Sequence, residues 1–406
     1  MNILANIEKE KDYLVSVRRH LHKNPELSLK EYETATYIEE QLDSFGIVHR
    51  RVGETGVLGI ITGKQGSGNK ILLRADIDAL PIQENTAATY RSKKPNVMHA
   101  CGHDVHTAAL LGAAKILRAQ SEIFAGEVLL VFQAAEEFGR GSQYFLAENI
   151  TNDVDRSFGI HVSPDFLVGT IAMTKGADAA SCDYFKIAVK GKGAHISKVH
   201  QGIDALHIAS LIVTELQTLV KRIVDPLEVA LIGVGRISSG TAYNIIAEDA
   251  FLEGTMRAFT NQTQGLLQSE IPKLADQIAQ KHGGKATTEF ESFAAALIND
   301  DIAFDEVYKI ASLIVGEENI VTEQKRIVGL GSDDFSEYLQ DTKGVYVHIG
   351  TANEHNPETQ YSLHNNKFDV DEQALLIAAS LHIEYALSIL KGETDIHHWD
   401  SYAYSI

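Results

Sequence analysis

Apolar residues recur along the first third of the chain with two alternating periods. Spacings of three and four predict helices over 7–20, 32–45 and 105–119. Short apolar runs between them predict strands over 56–62, 70–74, 127–132 and 157–161. Strand-like runs alternating with helices predict a mainly parallel, doubly wound α/β sheet.

From Asp183 the rhythm changes: strand 184–189, helix 202–220, strands 228–237 and 243–259, helix 264–282, strand 287–291. This βαββαβ order is the ferredoxin-like α+β pattern, with Ser238, Ser239 and Gly240 as a hairpin signal. Beyond about Asp300 the first pattern resumes with helix 302–315, strand 344–349 and a long helix 371–390. The economical reading is a small domain, 183–295, inserted between two pieces of a larger one, 1–182 and 296–406. A chain of 406 residues is long enough for this division.

Charge narrows the partners. With 36 basic against 55 acidic residues and a net charge of -19, the chain repels phosphate backbones and anionic lipid, so neither nucleic acid nor membrane is an expected partner. The first twenty residues lack the apolar stretch of a signal peptide, and the most apolar later segment, 374–390, is interrupted by His382 and Glu384. Two cysteines, Cys101 and Cys182, are too few for a disulfide framework, and a cytoplasmic location is expected.

Candidate chemistry collects near the predicted carboxyl ends of the first sheet, where open α/β folds bind ligands. His99-Ala-Cys101-Gly-His103-Asp104 precedes a helix, with Asp104 expected as its N-cap and Cys101 and His103 able to turn toward one ion. Glu136 and Glu137 directly follow a strand; a cation would neutralise one carboxylate and leave the other as a general base. His161 ends another strand. Each has a plain alternative, a buried thiol beside a turn, a solvated acidic pair or a structural histidine. Their coincidence at corresponding ends of successive elements favours a metal site. His364 or its neighbour His355, both in the loop before the last helix, is placed to complete the set. In the inserted domain His195 follows Gly191-Lys-Gly-Ala, while Asn244 and Arg257 lie on predicted strands.

These segments resemble the aminoacylase and carboxypeptidase-G-like zinc metallopeptidases, and within them the hydrolases of N-acyl amino acids, hippurate and indoleacetyl-amino acids. The resemblance rests on Arg18-Arg-His-Leu-His22, Pro25-Glu-Leu-Ser28, Arg74-Ala-Asp-Ile-Asp78, Met98-His-Ala-Cys-Gly-His-Asp104 and Gln133-Ala-Ala-Glu-Glu137. It continues through Gly159-Ile-His161, Gly191-Lys-Gly-Ala-His195, Gly254-Thr-Met-Arg257, Gly331-Ser-Asp-Asp-Phe335 and Ser362-Leu-His364. It implies a zinc-exopeptidase-like catalytic domain and an inserted lid domain that forms a homodimer. It further implies Cys101, His103, Glu137, His161 and His364, the last in preference to His355, as ligands of two divalent ions (zinc, manganese, cobalt or nickel). Glu136 is then the general base, His195 reaches a partner's active site, and Asn244 and Arg257 receive the substrate carboxylate.

The chain departs from the family's pattern at Asp76, where peptidase-type relatives have histidine, and at Cys101, where they have a bridging aspartate. Lys198-Val199 stands where Met-Pro is usual before His200, and Asp333 where glutamate is usual. The expected activity is metal-dependent hydrolysis of the amide bond of N-acyl amino acids. The rivals are a dipeptidase or carboxypeptidase on the same metals, a Cys101 nucleophile, and a non-catalytic binding protein. Residues 395–406 carry the only tryptophan, Trp399, beside His397 and His398, with no role legible in the sequence.

Overall fold

The structure, a computed structural model, describes residues 7–323 and 329–392; the segment 395–406 lies outside the described residues. The chain divides into two compact units. The larger comprises Met1–Asp178, Asn299–Val328 and Glu337–Ile406, and the smaller Ala179–Ile298 with Gly329–Ser336.

In the larger unit the strands are β1 (Val48–Val52), β2 (Gly56–Thr62), β3 (Lys70–Asp76), β4 (Glu127–Gln133), β5 (Arg156–Leu167), β6 (Ile171–Ala172), β7 (Ile320–Val321) and β8 (Gly344–Ala352). They form one sheet in the order β1-β2-β4-β3-β5-β8-β6-β7. The central pairs β4 with β3, β3 with β5 and β5 with β8 are parallel, and β1, β2 and β6 add antiparallel pairings. Central strands carry apolar runs because both faces are covered: β3 and β4 are buried at every position after the first, including the polar Arg74, Asp76 and Gln133 near their carboxyl ends. The strand β1 was not expected from the sequence; its residues Val-His-Arg-Arg-Val alternate at an exposed edge, too polar to register as an apolar run.

Helices α1 (Lys11–Lys23), α2 (Tyr32–Phe45), α3 (His103–Ala119), α4 (Asp301–Val315) and α5 (Ala374–Lys391) cover the sheet. In α1, Leu14, Val17, Arg18, Leu21 and His22 are buried, the spacing of one helix face, but that face carries two polar side chains. Helix α3 begins at His103, and its N-cap is Gly102, not Asp104. The Asp104 carboxylate sits in the first turn instead, drawn into an ion pair with Arg18.

Helix α5 is apolar on all sides and is long enough and apolar enough by composition to cross a bilayer, yet 78% of that stretch is buried inside the protein, against α3 and α4 among others. Its Glu384 is buried beneath this packing.

The smaller unit has strands Cys182–Lys190, Ala230–Ser239, Asp249–Ala258 and Lys285–Ala294, paired antiparallel, with Ala230–Ser239 at one edge and Lys285–Ala294 at the other. Helices Ala205–Ile223 and Asn261–Lys281 pack on this sheet around Phe185, Ile187, Ile208, Ile212, Leu252 and Ile271. The βαββαβ order and this strand order are the ferredoxin-like arrangement. Gly331 O accepts the Ala180 N–H, which ties 329–336 to this unit.

Burial raises the Glu384 carboxyl from the ordinary 4.5 to about 7, against a small opposing pull from Lys391. The folded chain therefore holds this proton more tightly than the unfolded chain, and stability falls as pH rises through 4.5 to about 7. Charging this group costs up to about 3 kcal/mol. Glu384→Gln should flatten denaturant-measured stability across that window and exceed the wild type at pH 8; parallel pH profiles would contradict this.

Candidate metal centre

Segments that leave the carboxyl ends of the central strands carry the clustered side chains. After β3 the chain passes Asp76 and Asp78, and after β4 it turns sharply at Ala135, which is held at φ +54°. Glu136 and Glu137 open the short 3-10 turn that follows. β3 pairs with β5 as far as Gly159, a register that sets His161 level with Asp76 at the end of β3, although β5 itself continues to Leu167, past the strand end expected from the sequence. His364 occupies a turn at φ +64°, and its N–H donates to Ala100 O at 2.8 Å, which joins the Cys101 loop to the loop before α5.

The donor atoms converge. Cys101 Sγ lies 3.5 Å from His161 Nε2. His103 Nε2 lies 3.9 Å from a Glu136 oxygen and 4.0 Å from Glu137 Oε1, and His364 Nε2 lies 3.4 Å from the same Glu137 oxygen. Ligand atoms of Cys101, His103 and His161 fall within 4.8 Å of one another, as do those of Cys101, Glu137 and His364, and those of His103, Glu136 and Glu137. The structure thus brings together all six of these expected residues, whereas His355 is exposed and belongs to none of these groups.

Hydrogen bonds decide which nitrogen each ring offers. His103 Nδ1 faces Asp78 Oδ1 at 3.2 Å and His161 Nδ1 faces the Val162 carbonyl at 2.7 Å. Both rings therefore carry the proton on Nδ1 and turn an Nε2 lone pair into the cluster. His103 Nε2 is fully buried and makes no hydrogen bond, a cost that a cation at this point would remove. His106, one helical turn beyond His103, was not singled out from the sequence, although the i, i+3 spacing places both on one face of α3. Its Nδ1 faces Asp76 at 2.5 Å and its Nε2 accepts the Val162 N–H at 3.0 Å. Both its nitrogens are occupied, so His106 supports the cluster without offering it a lone pair. Asp76 is in turn paired with Arg74 at 2.6 Å.

The local electrostatics suit a cation. Burial, then Glu137 and Glu136, push the Cys101 thiol well above its ordinary value, so Cys101 is not a thiolate poised for nucleophilic attack. Burial opposes a charge on His103, but Asp76 and Asp78 overcome it and raise the ring to about 10, so positive charge is favoured at this point and a metal ion would take the place of the Nε2 proton. Burial and His106 push His161 well below its ordinary value. A soft sulfur, imidazoles and a carboxylate form a donor set typical of zinc and its neighbours.

His195, Asn244 and Arg257 belong to the smaller unit. His195 pairs with Ile245 across a two-stranded ribbon, next to Asn244, whose carbonyl accepts the Ile196 N–H. It borders an open pocket of about 760 Å³ lined by Lys192, Lys198 and His200 among others. The Ser197 N–H donates to His195 Nδ1 at 3.1 Å, which leaves Nε2 as the proton-bearing nitrogen. Arg257 Nη1 donates to Ser332 Oγ at 3.1 Å.

A mainly parallel α/β sheet whose carboxyl edge gathers sulfur, imidazole and paired carboxylate groups defines a metal-dependent hydrolase. The chain belongs to peptidase family M20/M25/M40, whose sequence pattern matches residues 72–388. It is 36% identical to an N-acetyl-L-cysteine deacetylase of Bacillus subtilis over 97% of this chain and 91% of that one. It is 38% identical to thermostable carboxypeptidase 2 of Saccharolobus solfataricus, over 95% and 97% respectively. Among solved structures, the Bacillus subtilis YXEP protein, a dinuclear metal-binding peptidase of the M20 family, superposes with a TM-score of 0.81 at 32% identity, covering 94% of this chain and 99% of that one.

Gly102 makes the turn that delivers His103: it sits at φ +83°, and an added Cβ would lie 2.3 Å from Val162 Cγ2. Gly102→Ala should therefore lower unfolding free energy by about 1–3 kcal/mol in chemical denaturation. Unchanged stability would mean that the turn tolerates a side chain and does not constrain His103.

Proposed function

We propose that the protein hydrolyses the amide bond of N-acyl amino acids at a centre of two divalent cations. The observation that carries this reading is the buried, unpartnered His103 Nε2 facing carboxylates of both Glu136 and Glu137. The B. subtilis deacetylase relative supports the substrate class, and the dinuclear YXEP protein supports the stoichiometry. Zinc, manganese, cobalt and nickel are the candidate ions.

Cys101, His103, Glu137, His161 and His364 are the residues that would hold the cations. Bound divalent metal acidifies water toward neutrality and polarises an acyl carbonyl. Glu136, beside the ligands, takes a proton from the attacking water and returns it to the departing amine nitrogen. A homodimer through the smaller unit brings the partner subunit's His195 to the substrate, where its Nε2–H donates to the carbonyl oxygen as negative charge develops. Leu231 and Ile237, exposed on the edge strand Ala230–Ser239, support such an assembly. Arg257, with Asn244, receives the free carboxylate of the amino acid.

The S. solfataricus relative keeps a carboxypeptidase reading in view. Chelator-stripped protein should regain release of free amino acid from a panel of N-acyl amino acids when zinc, manganese, cobalt or nickel is returned singly. Recovery on dipeptides alone would make it a peptidase, and activity indifferent to chelation would overturn the metal centre.

A further inference from the structure

The Arg18-Arg-His-Leu-His22 and Pro25-Glu-Leu-Ser28 motifs carry none of the groups assigned above, yet Arg18, His22, Glu26 and Ser28 are buried. We infer that the N-terminal segment from Arg18 to Glu31 is a positioning element for the metal centre, with the Arg18 guanidinium tying the first turn of α3 and the loop before α5 to one rigid helix. The inference rests on the ligand assignment made under Proposed function.

Arg18 is fully buried on α1. Its Nε donates to Asp104 Oδ2 at 2.9 Å, Nη2 to Asp369 Oδ1 at 2.5 Å and Nη1 to Glu372 Oε1 at 3.1 Å. Asp104 is the residue after His103, and Asp369 follows His364 in the loop before α5. One planar fork thus joins the helix start that presents His103 to the loop that presents His364. A lysine offers a single point charge that cannot satisfy these directions together. His22, one turn on, faces Asp104 Oδ2 at 2.9 Å and Glu84 at 3.4 Å, so Asp104 is gripped by two cationic groups.

Two further tethers reach the other loops. Ser28 Oγ donates to Asp78 Oδ2 at 2.6 Å; the same oxygen accepts the Glu137 N–H at 3.1 Å, and Asp78 Oδ1 faces His103 Nδ1. Glu31, fully buried, accepts the Ala135 N–H at 2.9 Å and the Thr55 hydroxyl at 2.7 Å. Ala135 has the positive φ that aims Glu136, a conformation that costs energy unless it is held. Segment 18–31 therefore contacts the supports of His103, Glu137 and Glu136 and the loop that carries His364 at once. Partners that orient ligands in this way typically govern metal affinity or activity by about 10–100-fold.

The test is cation affinity, measured by competition with a chromogenic chelator using zinc or manganese on the full chain, with circular dichroism to confirm folding. Arg18→Lys should weaken binding by about 10-fold or more and lower kcat with it. Glu31→Ala should lower kcat while affinity and KM hold. A merely structural ion pair would move the unfolding midpoint and leave the affinity of the folded protein unchanged. Should Arg18→Lys fail to fold, Asp369→Asn weakens one of the two contacts from Arg18 to the segment before α5 and should shift affinity in the same direction. Unchanged affinity in folded Arg18→Lys or Asp369→Asn overturns this inference alone; a wild type that binds no cation overturns it together with the metal centre.

Discussion

Two carboxylates and a thiol crowd around one imidazole nitrogen that makes no hydrogen bond, and that concentration of ligand atoms is the constraint from which the larger unit is organised. Glu136 and Glu137 approach His103 Nε2 at 3.9 and 4.0 Å, and Cys101 and His161 are in contact beside them. Away from water such a group is costly unless a cation occupies it. The surrounding residues are arranged as supports for that occupancy. Asp78 and the Val162 carbonyl set the tautomers of His103 and His161, and Asp76 with the Val162 N–H takes both nitrogens of His106.

The backbone is bent where the donors are delivered. Gly102, Ala135 and His364 all have positive φ, and each is a site residue or lies directly beside one. Such turns persist only when neighbours over-determine them. Here the neighbours are Val162 and Phe368 beside Gly102, the Glu31 carboxylate that accepts the Ala135 N–H, and the Ala100 carbonyl that accepts the His364 N–H.

Much of this was legible in the sequence because it is written in local periodicity. Tyr32–Phe45 and Gly56–Thr62 match the predicted 32–45 and 56–62, and the inserted βαββαβ order is visible from Asp183 onward. The cluster of Cys101, His103, Glu137, His161 and His364 was reached partly from strand ends and completed through a family resemblance. What could not be read depends on contacts between distant segments. Asp104 looked like an N-cap because the sequence does not reveal Arg18, 86 positions away, as its partner. Asp76, Asp78, Ser28 and Glu31 are ordinary polar residues in sequence, and only the fold shows which nitrogen or N–H each one holds. His106 had a readable signal in its spacing from His103, but its exclusion as a donor needs both of its hydrogen bonds.

The central claim is that one of the paired glutamates is free to move a proton while its neighbour holds metal. The most direct measurement is metal content and turnover of Glu136→Gln, determined on the same preparation. The account predicts wild-type metal content with kcat on N-acyl amino acids reduced by about 10²–10⁴-fold. Loss of bound metal in parallel with activity would instead make Glu136 a ligand, and retained turnover would remove it from the chemistry altogether.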